Sequence, residues 1–237
     1  MPEVLLEARG IMAGYDASRV LHGVDLVLKR GEAIGLMGRN GMGKTTLLRA
    51  LLGLLPLQAG RVKVRGTDTS GWPPHRIARL GIAYVPEGRG IFPNLSVHEN
   101  LIMAARPGSR GLRDWTLERV LSVFPPLSPR LRSGGQQLSG GEQQMLTIGR
   151  ALMTNPDVMI LDEATEGLAP LVAQGIWTIL KQLREAGLST IIVDKNLAAV
   201  SALTDRNIIL VKGRIALEGS AADLQRDPAI LQRHLGL

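Results

Sequence analysis

Gly38-Arg39-Asn40-Gly41-Met42-Gly43-Lys44-Thr45 has the spacing G-x-x-x-x-G-K-[ST], and the chemistry of that spacing is anion capture. Glycines let a backbone curl until successive N–H groups converge on phosphate oxygens, and a helix starting where the loop ends adds its positive N-terminal charge. On this reading Gly38, Asn40, Gly41 and Gly43 form a cradle, and Lys44 reaches the β- and γ-phosphates of ATP. Thr45 offers a hydroxyl to Mg²⁺, a cation that prefers oxygen ligands, and Thr46 donates to the α-phosphate. The metal needs a carboxylate from elsewhere. Val158-Met159-Ile160-Leu161 is an apolar run ending in Asp162, which would hold the metal's water shell. Glu163 follows and projects toward the γ-phosphate as general base, a role that typically contributes about 10² to 10⁴ in rate. An isolated Asp-Glu pair after a strand is as readily a helix cap, so its catalytic reading depends on the glycine loop.

Leu138-Ser139-Gly140-Gly141-Glu142-Gln143-Gln144 supplies a second glycine-assisted helix start, with the Ser139 hydroxyl suited to a γ-phosphate. Two such anion sites do not easily grip one nucleotide from within one chain.

The elements that must position these residues follow from hydropathy. Strand-like runs occur at Val4 to Leu6, Val24 to Leu28, Ala33 to Met37, Arg61 to Arg65 and Gly81 to Val85, with a helix from Gly43 to Leu52. Between about Gly88 and Arg150 the β runs vanish, and helical stretches appear at Val97 to Ala105, Asp114 to Phe124 and Gly140 to Met153. Strands at 158–161, 190–193, 207–211 and 215–217 then alternate with helices at 171–186 and 196–203 and helices running to Leu237. This predicts an α/β fold with a mostly parallel sheet covered on both faces and an inserted helical lobe.

The chain has 237 residues, enough for one large domain or a domain with an insertion, and 45% hydrophobic residues exclude a disordered chain. A net charge of +7 admits an anionic partner without choosing one, and with no cysteine there is neither a disulfide nor a thiolate metal site. Aromatic residues at 3% argue against base-stacking platforms for single-stranded nucleic acid. The best apolar run, Leu51 to Leu57, is broken by Gly53 and Pro56, far short of the roughly 18 to 20 residues that cross a bilayer. Glu3 and Glu7 stand where an export signal would be basic and then apolar. The six arginines between Arg106 and Arg132 read mostly as a solvated face.

LSGGEQQ directly before a helix resembles the signature motif of ABC-transporter ATP-binding subunits, and the resemblance runs essentially end to end. It implies a P-loop ATPase of ABC type: a nucleotide-binding core with an N-terminal antiparallel β subdomain in residues 1–87 and 151–237, and a helical signature lobe in 88–150. It further implies a head-to-tail pair of such domains, each ATP lying between Lys44 of one and Ser139, Gly140 and Gly141 of the other, so that binding closes the pair and hydrolysis opens it. Tyr15 matches the aromatic that stacks on adenine; packing against the sheet is its other reading. Glu166-Gly167-Leu168-Ala169 matches the D-loop. Val85 to Pro93 matches the Q-loop with Glu87 in place of Gln, a carboxylate able to meet Mg²⁺ or its waters. Lys195 stands where many relatives carry a His on the γ-phosphate, and is read either as a permanent cation sensing that phosphate or as a solvated lysine. Ala164 replaces a usual Pro.

VPEGRGIFPNLSVHENL, LSGGEQQMLTIGRALM and EGLAP are similar to the smaller ATPase of branched-chain amino acid importers. The implied partners are a second ATPase subunit, identical or related, membrane permease subunits and, indirectly, a solute-binding protein. The implied place is the cytoplasmic face of the membrane. A permease helix would rest near Glu87, Gly88, Arg89 and Phe92. The alternatives are an importer of urea or short-chain amides, a soluble nucleic-acid-associated ABC ATPase, and a binding-only sensor. A single cassette argues against the second, and the set Lys44, Asp162, Glu163 and Ser139 against the third.

Overall fold

The computed structural model describes residues 2–16 and 18–225. In chain order its elements are β1 (Val4–Tyr15), β2 (Ser18–Lys29), β3 (Ala33–Met37), α1 (Lys44–Leu51), β4 (Leu57–Val64), β5 (Thr67–Asp68), α2 (Pro74–Ala78) and β6 (Ile82–Val85). There follow α3 (Val97–Ile102), α4 (Leu117–Val123), α5 (Gly140–Leu152), β7 (Val158–Asp162), α6 (Pro170–Glu185), β8 (Ser189–Val193), α7 (Leu197–Leu203), β9 (Arg206–Val211), β10 (Arg214–Gly219) and α8 (Ala221–Gln225). The expected helices beyond Gln225 lie outside the described residues.

Two sheets form. One is antiparallel in the order β2-β1-β4-β5; the other runs β10-β9-β3-β8-β7-β6, parallel except for the β10–β9 edge. β3, β7 and β8 are buried along their whole length, so Ala33–Met37, residues 158–161 and residues 191–193 read as continuous apolar runs rather than alternating ones. The register Asp162↔Val193 between β7 and β8 carries the carboxyl ends of these strands to one edge. Ligands of open parallel sheets gather at that edge.

Two apolar clusters hold the fold. One joins the antiparallel sheet to α1 and one face of the parallel sheet; the other joins the opposite face to α3, α4, α5 and α6. Phe124, fully buried, packs in the second. α3 opens with a reciprocal cap: the Ser96 hydroxyl accepts from the Glu99 N–H, and the Glu99 carboxylate accepts from the Ser96 N–H at 2.8 Å. Asn100, fully buried in α3, is satisfied by the Phe92, Leu95 and Ser96 carbonyls and by the Phe92 N–H.

Three differences from the hydropathy reading have physical causes. β1 and β2 are 12-residue strands, not short segments, because the hairpin absorbs its glycines as register shifts. Between Arg65 and Gly81, where the hydropathy reading has no element, a short helix α2 forms with Pro74 in its first turn, where a missing N–H costs nothing. Arg106 is the lobe arginine that departs from a solvated face: it is partly buried and donates to the Ala78 carbonyl at 2.8 Å, whereas Arg110, Arg113, Arg119, Arg130 and Arg132 are exposed as expected, with Arg119 4.2 Å from the Trp115 ring centre and Arg110 approaching Glu3. Among the described residues no helix is long and apolar enough to cross a membrane.

Candidate functional site

The loop from Gly38 to Gly43 leaves the end of β3 and turns into α1. At Gly38 a Cβ would stand 2.5 Å from the Leu210 carbonyl oxygen, so β9 presses the loop backbone too closely for any side chain. Gly43 caps α1 in the left-handed region, at φ 103°. Asn40 and Gly41 are exposed at the loop's tip, whereas Lys44 and Thr46 are buried at its base. The Lys44 ammonium folds back over the loop, donating to the carbonyls of Gly38 at 2.8 Å and Arg39 at 3.2 Å. Burial lowers its pKa, and the negative charges of Glu163 and Asp162 oppose that shift.

Asp162, at the end of β7, is fully buried and sits directly opposite Thr45. Its carboxylate accepts from the Thr45 hydroxyl at 3.4 Å and from the Tyr84 hydroxyl at 3.1 Å. Burial raises the Asp162 carboxyl, against the two hydrogen bonds, and raises the Tyr84 phenol with Asp162 adding to it. Thr45 and Asp162 together offer neutral and anionic oxygens beside the cradle, a donor set that fits Mg²⁺.

Glu163 occupies the turn after β7 with φ 51°, its N–H bonded to the Val193 carbonyl at 2.7 Å and its side chain 14% exposed. Burial raises its carboxyl, neighbouring Glu166 raises it further, and Lys195 opposes both. The Lys195 ammonium lies 3.4 Å from Glu163 and in direct contact with Glu166. One carboxylate oxygen from each of Glu87, Glu163 and Glu166 falls within 4.8 Å of the others. They border an open cavity of about 590 Å³ whose other wall is formed by Arg89, Gln143 and Gln144.

Ser139 is the N-cap of α5. Its hydroxyl accepts from the Glu142 N–H at 3.3 Å, and the Glu142 carboxylate accepts from the Ser139 N–H at 2.7 Å. A Cβ on Gly141 would meet the branched Val172 side chain at 2.4 Å, so that position needs glycine for space, whereas one on Gly140 would meet only the movable end of Arg89, at 2.8 Å. Among the described residues no hydrogen bond or ion pair joins Ser139, Gly140 or Gly141 to the loop at 38–45. Their neighbour is the segment from Glu87 to Phe92: Arg89 donates to the Gln143 side chain at 3.3 Å, and the Thr147 hydroxyl donates to the Arg89 carbonyl. Glu87 and Gly88 are exposed, and the half-exposed Phe92 ring has the Arg150 guanidinium 4.8 Å from its centre. Tyr15, at the end of β1, is 41% exposed and its hydroxyl accepts from Arg49 at 3.3 Å.

Lys44, Thr45, Asp162 and Glu163 thus meet at one edge of the parallel sheet, with Glu87 and Lys195 beside Glu163. Sequence reasoning missed Tyr84, Thr165 and Asp194. Tyr84 sits near the end of β6, next to β7 in the sheet, which is the one signal that could have found it. The N–H and hydroxyl of Thr165 both donate to Asp194, at 3.1 and 2.7 Å, across 29 residues with no local cue.

Residues 21–166 match the ABC transporter family model. The chain is 39% identical over 222 residues to the high-affinity branched-chain amino acid transport ATP-binding protein BraG of Pseudomonas aeruginosa, covering 94% of this chain and 95% of that one. It is 34% identical to the lipopolysaccharide export system ATP-binding protein LptB of Escherichia coli K12, covering 98% and 97%. The crystal structure of the ADP conformation of MJ1267, an ATP-binding cassette of an ABC transporter, superposes with a TM-score of 0.81 at 25% identity, covering 99% of both chains.

Proposed function

Because this chain belongs to the ABC transporter family and is an ATPase subunit of a transporter, we propose that it drives an importer of branched-chain amino acids through nucleotide-dependent closure of two ATPase domains. The observation that carries the catalytic part is the meeting of the Lys44 loop with Asp162 and Glu163, with Thr45 and Asp162 3.4 Å apart.

In this reading the N–H groups of the 38–45 loop and the Lys44 ammonium bind the β- and γ-phosphates of ATP, and Tyr15 stacks on the base. Thr45, Asp162 and Glu87 would hold Mg²⁺, which would supply positive charge to the phosphate oxygens. Glu163 orients a water and takes its proton as the water oxygen bonds to the γ-phosphorus and the bridging β–γ bond breaks. Burial and Glu166 suit Glu163 to that proton by raising its carboxyl. Ser139, Gly140 and Gly141 of a second subunit complete the γ-phosphate pocket, so ATP joins two chains and its hydrolysis releases them. The bonds between Arg89 and Gln143 and Thr147 of α5 give the Glu87–Phe92 segment a mechanical link to the signature helix, and in this reading that segment is the contact for a membrane permease subunit.

The solute rests on the 39% identity to BraG, against 34% to the exporter ATPase LptB. The test is uptake by proteoliposomes holding this chain, its permease subunits and its solute-binding protein. ATP-dependent accumulation of radiolabelled leucine supports the reading. ATP-dependent uptake of urea without leucine, or lipopolysaccharide release, overturns the solute and leaves the ATPase standing.

A further inference from the structure

The turns after β7 and β8 are fastened together twice. The inner fastening is buried: Asp194 accepts from the N–H and hydroxyl of Thr165, with both residues less than a tenth exposed. The outer one is ionic and wet, Lys195 meeting Glu166 and Glu163 with its side chain 54% exposed. The inner fastening takes in the Thr165 backbone N–H; the outer one touches the Glu163 carboxylate itself. That carboxylate is crowded by like charge, since oxygens of Glu87 and Glu166 fall within 4.8 Å of it and of one another. Left to itself it would be pushed out of this corner. An ammonium shared between Glu163 and Glu166 opposes the push.

We propose that Glu166 is a positioning residue for hydrolysis: it anchors the Lys195 ammonium, and the anchored ammonium holds Glu163 in place without collapsing onto it. The inference rests on the reading of Glu163 as general base. Without Glu166 the ammonium falls fully on Glu163 and occupies the oxygen that must take a proton. Without Lys195, Glu163 and Glu166 repel and the carboxylate swings away. Removing both partners together relieves both faults, so the two losses must not add.

The experiment is steady-state ATP hydrolysis and Mg-ATP binding for Glu166→Gln, Lys195→Met, the double variant, Lys195→Arg and, alongside, Glu163→Gln. We expect kcat to fall about tenfold in Glu166→Gln and in Lys195→Met while KM and the nucleotide Kd stay within about twofold. The double variant keeps more kcat than either single one, and Lys195→Arg keeps more than Lys195→Met. Wild-type kcat in Glu166→Gln, or additive losses in the double variant, overturns the proposal. If Glu163→Gln turns over normally, the general-base reading falls and this one with it. If Glu163→Gln is inactive while Glu166→Gln is normal, only the positioning role fails.

Discussion

Glu163→Gln separates catalysis from stability, because the two carboxylate oxygens become an amide of the same size at a position whose backbone is held independently. The N–H bond to Val193 at 2.7 Å and the φ of 51° do not depend on the side chain's charge. If Glu163 takes the proton of the attacking water, kcat drops by about 10² to 10⁴, equivalent to roughly 3 to 5 kcal/mol of barrier. Two small opposed effects act on the fold. The ion pair with Lys195, 3.4 Å long and made by a half-exposed lysine, is screened by solvent and contributes little to stability. Against it, the Glu163 carboxyl is raised by burial and by Glu166. A raised carboxyl binds its proton more tightly in the folded state, so its ionisation erodes stability as pH rises past the unfolded value toward the folded one, and Gln removes that erosion. The net change is within about 1 kcal/mol, or about 2 to 4 °C in Tm for a chain of this size. Phosphate release at saturating Mg-ATP, thermal unfolding and nucleotide retention are measured on the same sample. Normal turnover in folded protein refutes the base assignment. A Tm that collapses with the activity would mean that the charge supports the fold instead.

Other outcomes follow from the same structure. Ser139→Ala removes the acceptor of the Glu142 N–H and costs about 1 kcal/mol in thermal unfolding; hydrolysis falls by a far larger factor if the hydroxyl also meets a γ-phosphate, and a proportionate small loss would assign it to capping alone. Gly38→Ala forces a Cβ to 2.5 Å from the Leu210 carbonyl, so it lowers stability by about 2 kcal/mol or more in urea unfolding and weakens nucleotide binding. Asp157 is raised by burial but more strongly lowered by hydrogen bonds from Ser109 and Arg30 and by the charges of Arg30 and Arg65. Its contribution is present above the unfolded-state value and is lost as pH falls through the lower folded-state value. Asp157→Asn therefore destabilises by about 1 to 3 kcal/mol at pH 7, and urea midpoints of the two proteins converge in acid.

The sequence made the chemistry legible where it is local. Gly38 to Thr45, the apolar run into Asp162 and the capping string at Ser139 each carry their meaning in adjacent residues, and β3, β7 and α5 form where the flanking hydropathy puts them. What stayed hidden is contact across the chain. Lys195 and Glu166, Thr165 and Asp194, Tyr84 and Asp162 come together only because neighbouring parallel strands end at one edge. The length of the β1–β2 hairpin was masked by glycines at bulges, since Gly10 and Gly23 adopt positive φ and break the alternation that marks a strand. Lys195 shows the difference most plainly: its residue type suggests a phosphate sensor, while its position pairs it with two carboxylates.

The most direct measurement is calorimetric titration of Mg-ATP into Glu163→Gln, which should bind without turnover, and into the same protein carrying Lys44→Ala. Saturable uptake of one nucleotide per chain, weakened about a hundredfold or more by Lys44→Ala, is the expected result. Equal affinity in the two proteins would mean that the loop at Gly38 to Thr45 does not hold the triphosphate.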